Sequence, residues 1–155
     1  MVDSTCSRFL FALVLAVPMA ACGGGANTGA DADAGADGSE GPGFSEVYST
    51  IISGRCLPCH SSGGGAMFGM LDMSTEQTAY SNLVGVKAAG TSCLTSNLTR
   101  VVPGSATTSL MFNKVNAKLK QIAPPCGDTM PDDQTVLNQT QVDLIQTWIN
   151  DGAQR

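Results

Sequence analysis

Cys56-Leu57-Pro58-Cys59-His60 is the stretch of this chain best suited to do chemistry. Cys-x-x-Cys-His is the attachment sequence for a c-type haem. One turn of chain puts both sulfurs on the same side, where each can form a thioether with a vinyl group of a porphyrin. The next residue then offers an imidazole nitrogen to the iron. His60 is the only histidine in the sequence, so a second histidine ligand from the same chain is excluded. A thioether is the natural alternative, a soft donor that favours ferrous iron and raises the reduction potential. Of the seven methionines, Met1 and Met19 fall in the leader described below. Met130 is the leading candidate: it follows the motif at long range, shares a loop with Gly127 and precedes the rigid Pro131. Met67, Met70 and Met73 are the rivals, lying close after the motif at a spacing that also suits packing around a porphyrin. Met111 is expected in the core. Iron held by His60 and a methionine has no open position, which points to a one-electron carrier rather than an enzyme. Without the methionine the iron is open to gas binding, as in a haem-based sensor, or to peroxidase chemistry.

Cys93 and Cys126 form an even leftover pair, which in an oxidising compartment suggests a disulfide. It would close a loop of about 33 residues, contribute roughly 2–4 kcal/mol and pin the start of the Met130 loop. The alternatives are two buried free thiols or a metal site. Zinc is not expected, because its ligands usually come as separated pairs and the adjacent Cys59 and His60 cannot easily both chelate one tetrahedral ion. Arg100 stands among Leu98, Val101 and Val102. Its guanidinium fork would suit a haem propionate; the alternative is a surface arginine lying over the core. Trp148 is open to the same two readings, a propionate partner or simply core.

These residues need elements to position them. Phe44, Val47, Tyr48, Ile51 and Ile52 follow helical spacing and predict a first helix ending near Gly54, directly before the motif. Ser61 to Gly65 reads as a loop. Ser74 and Gln77 read as a capping box opening a second helix through about Leu83. Residues 85–99 are Gly-, Ser- and Thr-rich and predict loop with a short strand at most. Pro103-Gly104-Ser105 predicts a turn and N-cap for a third helix over about 106–118, with Leu110, Met111, Val115 and Leu119 inward. Pro124-Pro125 forces another loop. Asn138 and Gln141 predict a capping box for the last helix, with Leu137 stapled to Val142. Val142, Ile145, Trp148 and Ile149 form its apolar face, and Gly152 is its stop.

The chain carries a net charge of −5, with only 5% aromatic and 14% charged residues. So few aromatics leave a small core hard to fill, and a buried porphyrin would supply the missing apolar bulk. Asp31, Asp33, Asp37 and Glu40 account for most of the negative charge, while from Phe44 onward eight acids face seven bases. No basic stripe exists, so no nucleic-acid partner is expected. Residues 1–21 read as a signal peptide, with Arg8 and the apolar run Phe9 to Val17, too short to span a bilayer. Met19-Ala20-Ala21-Cys22 resembles the lipobox of bacterial lipoproteins, with Met19 where Leu is more usual. The resemblance implies a lipid on Cys22; ordinary cleavage near Ala20 or Ala21 is the alternative. Residues 22–43 hold no large apolar side chain and predict a disordered linker, reaching roughly 25 Å from the anchor.

The helix leading into Cys56-Leu57-Pro58-Cys59-His60, the late loop Gly127-Asp128-Thr129-Met130-Pro131 and the terminal Trp148-Ile149 with Gly152-Ala153 together resemble a class I cytochrome c domain. Arg100 to Ser105 followed by Cys126-Gly127 and Met130-Pro131 is similar to cytochrome c-like domains of lipoproteins from myxobacteria and related bacteria. The resemblance covers residues 44–155. It implies an all-α fold, with long loops, around one covalently bound haem c whose iron is held by His60 and Met130. It also implies redox proteins of the periplasm as partners, and a place in the bacterial cell envelope, lipid-anchored and facing the periplasm or the cell surface.

Overall fold

The computed structural model describes residues 41–61 and 69–155. The expected leader, Cys22, the linker as far as Glu40, and Ser62 to Phe68 with Met67 lie outside the described residues. Six α-helices follow: α1 Phe44–Val47, α2 Ser53–Arg55, α3 Leu57–His60, α4 Glu76–Leu83, α5 Leu110–Lys120 and α6 Gln139–Asn150. A π-helical stretch, Tyr48–Ile52, joins α1 to α2 without a break, and 3-10 turns occupy Leu94–Ser96 and Ala106–Thr108. The only extended pairing among the described residues is two isolated bridges, Val84 with Val101 and Lys87 with Thr99. The described chain is therefore all-α.

The last helix forms as its sequence dictates. Asn138 Oδ1 accepts the Gln141 N–H at 2.9 Å, and Gln141 Oε1 accepts the Asn138 N–H at 3.1 Å, satisfying two otherwise orphaned donors. Leu137 and Val142 are both buried beside this cap. Gly152 takes φ +99°, a conformation that favours glycine, and ends the helix. Val142, Ile145, Trp148 and Ile149 are buried and meet α1 and α5. The Phe44 ring lies 5.1 Å from that of Trp148 and 5.2 Å from that of Tyr80. Trp148 belongs to this core; its indole N–H donates to Gln154 O at 2.7 Å.

Two helix starts differ from expectation. The Ser74 N–H goes to Asp72 Oδ1 at 2.8 Å in a turn, not back to Gln77 as the expected capping box requires. Thr75 is the cap instead, its hydroxyl accepting the Thr78 N–H at 3.1 Å. The expected 106–118 helix is broken at Ser109, which is extended and buried. Its hydroxyl donates to Ser105 O and accepts the Val102 N–H, both at 2.8 Å. Helix α5 then starts at Leu110, and its first donors, Leu110 N–H and Met111 N–H, reach Thr99 O at 3.0 Å and Arg100 O at 2.9 Å. The neighbouring backbone thus replaces a side-chain cap. Leu110, Phe112, Val115 and Ala117 are buried along α5, with Met111 and Leu119 half-buried.

Asn138→Ala removes one half of the α6 box and should lower stability by about 1 kcal/mol. Urea unfolding checks this as a lower midpoint at unchanged slope.

Candidate functional site

The first helical run carries the motif. The backbone stays helical through Cys56, whose N–H reaches Ile52 O at 3.0 Å, so the buried face of the run sets the direction in which the motif leaves it. Cys56 O then accepts from Cys59 N–H at 3.2 Å and His60 N–H at 2.8 Å, closing the turn. Pro58 sits in the first turn of α3, where a missing N–H breaks no bond. Cys56 and Cys59 are free thiols, both half-buried. His60 is buried, 8% exposed, and its Nδ1 lies 3.2 Å from Leu71 O. A proton on Nδ1 donates to that carbonyl and leaves the lone pair on Nε2. Cys56, Pro58, Cys59 and His60 line one largely apolar cavity of about 350 Å³.

Burial, and secondarily the charge of Cys59, push the Cys56 thiol up to about 12. Redox-active Cys-x-x-Cys pairs have the opposite property, a thiol pKa depressed towards or below neutrality. Cys56 is held in its neutral form.

Met130 reaches the same cavity from the other end of the sequence. Its loop follows Cys126, whose Sγ lies 2.07 Å from Cys93 Sγ, at disulfide distance, with the Cα atoms 5.2 Å apart. Gly127 has φ +55°, and a Cβ there would come within 3.3 Å of both Ser92 Cβ and Lys114 Nζ. The Met130–Pro131 peptide is cis. Met73, one of the rivals, is buried and also lines the cavity, whereas Met70 is 57% exposed and does not. Met111, expected in the core, packs against it and lines the cavity as well.

Arg100 is 7% exposed, which removes the reading of a surface arginine. It lines the cavity, and its guanidinium donates to Asn82 O at 2.9 Å, Met70 O at 2.8 Å and Gly69 O at 3.3 Å. All three partners are backbone carbonyls. Burial lowers its pKa, and no nearby carboxylate offsets that cost among the described residues. The buried guanidinium is thus held by dipoles, with no carboxylate beside it among the described residues.

Lys114 was not signalled by any motif, yet it lines the cavity beside the Met130 loop. Burial lowers its pKa, and the carboxylates of Asp128 and Asp132 act against that shift. Only the fold brings the loop over α5, so no local pattern could have marked it. Comparison with protein-family models, curated proteins and solved structures finds no match. No helix among the described residues is long and apolar enough to cross a membrane.

With both thiols free, stability should fall as pH rises from about 9 to about 12, because the unfolded thiol ionises first while folded Cys56 keeps its proton. Urea midpoints measured across that window should decline less in Cys56→Ser. At pH 8, iodoacetamide should modify folded Cys56 at least about tenfold more slowly than the unfolded chain.

Proposed function

We propose that residues 44–155 are a monohaem c-type cytochrome domain of class I type that carries single electrons. The observation that carries this reading is the convergence of the Cys56-Cys59-His60 motif, Met130 and Arg100 on one apolar cavity. The donor set fits a haem: two free thiols, an imidazole with its tautomer set by Leu71 O, a thioether, and a buried guanidinium with no carboxylate beside it among the described residues. The raised pKa of Cys56 speaks against the competing use of Cys-x-x-Cys as a redox dithiol.

Within this reading Cys56 and Cys59 would be the attachment points, and His60 and Met130 would hold the iron. Arg100 would pair with a propionate, supplying the counter-charge that its carbonyl partners do not. When bound, the haem supplies one-electron exchange at its iron. The chain would do the rest: α1, α2 and α3 hold the imidazole, the largely apolar lining suits a porphyrin, and with His60 and Met130 both on the iron no position would remain for a substrate. The scarcity of aromatics in the core is consistent with a site that a porphyrin fills. The same reading, joined to the leader and the lipobox-like Cys22, makes this an envelope protein tethered by lipid, exchanging electrons with redox proteins of the periplasm.

The sixth ligand separates the carrier from an open-iron sensor or peroxidase. In the ferric protein the thioether-to-iron absorption band should be lost in Met130→Ala and kept in Met73→Ala. Absence of that band in the parent would favour the open-iron reading, and its loss in Met73→Ala alone would move the ligand to Met73.

A further inference from the structure

Lys114 touches the Met130 loop three times. Its Nζ donates to Cys126 O at 2.8 Å and to Asp128 O at 2.6 Å, and its own carbonyl accepts the Met130 N–H at 3.2 Å. The loop has little means of holding itself. Pro124, Pro125 and Pro131 have no N–H to give, and no helix spans the segment. The contact between Cys93 and Cys126 fixes its start. One turn further along α5, Lys118 Nζ donates to Asp133 O at 2.8 Å, beyond Met130 and Pro131. The polar side of α5 therefore straps the loop before and after the methionine.

An ammonium has three donors, and a surface lysine satisfies them with water. Lys114 is half-buried and gives two of them to converging carbonyls of one loop. Gly127 lies close to that ammonium: a Cβ there would come to 3.3 Å from Lys114 Nζ, tighter than an ordinary contact. Charge-assisted bonds of this kind are about twice as strong as neutral ones, and the one to Cys126 O is part-buried.

We infer that Lys114 is a positioning residue for the axial methionine: it straps the carbonyls of Cys126 and Asp128 to α5 and so keeps the Met130 sulfur directed into the cavity. The inference rests on the proposed His60–Met130 ligation. Lys114 acts through the loop and touches no reacting atom.

Imidazole is the probe, because it must displace the methionine to bind ferric iron. In the haem-loaded full chain, Lys114→Met should bind imidazole at least about tenfold more tightly than the parent, the worth of about one charge-assisted bond. Lys120→Met is the control, since Lys120 Nζ bonds only the Gln139 side chain, at 3.1 Å, and its affinity should not change. Amide hydrogen exchange over residues 127–130 should quicken in Lys114→Met and not in Lys120→Met. Lys114→Gln, too short to reach both carbonyls, should shift imidazole binding in the same direction and serves if Lys114→Met does not fold. Unchanged imidazole affinity and exchange, in a parent that shows the thioether band, would overturn the role of Lys114 and leave the carrier reading standing. A parent with no covalent porphyrin would overturn both.

Discussion

The packing of α6 against the first helical run is the constraint on which the site depends. Phe44, Val47, Ile51 and Ile52 are fully buried, and Trp148 and Ile149 bury against the same core. The C-terminal tail locks the arrangement from outside, with Gln154 O accepting from both Trp148 Nε1 and Phe44 N. The motif begins one residue after Arg55. Whatever fixes the run therefore fixes the two thiols and the imidazole, and no separate device is needed to aim them. Burying large aromatic and aliphatic side chains is worth several kcal/mol in total, far more than the motif's own turn could supply.

The rest of the cavity lining is built differently. It comes from loops and the first half of α5, tied by polar contacts. Thr99 O and Arg100 O cap α5, and the Arg100 guanidinium in turn ties down the carbonyls of Gly69, Met70 and Asn82. Lys114 and Lys118 then bind the loop that follows. The part of the lining that carries the imidazole rests on apolar packing, and this part rests on a few buried or half-buried cations. Met73, Met111 and Met130 add adaptable side chains to the lining.

Much of this was legible locally. The Asn138–Gln141 box, the apolar face of α6, the spacing of Phe44 to Ile52 and the Cys-x-x-Cys-His turn each lie within a few residues, where periodicity and capping rules apply. The differences have two sources. At α4 the cap lies one residue later than expected, at Thr75, while a local turn takes the Ser74 N–H to Asp72. At α5 the cause is non-local: backbone from 99–100 supplies the cap that Ser105 was expected to give. Lys114 carries no local signal, because its two carbonyl partners lie more than ten residues downstream. Arg100 stood between two readings in the sequence; only burial removed the surface alternative.

The proposed function requires a covalent haem on Cys56 and Cys59. Its sharpest test is intact-mass spectrometry of the chain, exported from a cell able to mature c-type cytochromes and denatured before measurement. Polypeptide heavier by one iron porphyrin is expected, with neither Cys56 nor Cys59 available to a thiol reagent. Polypeptide at its bare mass, with both thiols still reactive after denaturation, would contradict it.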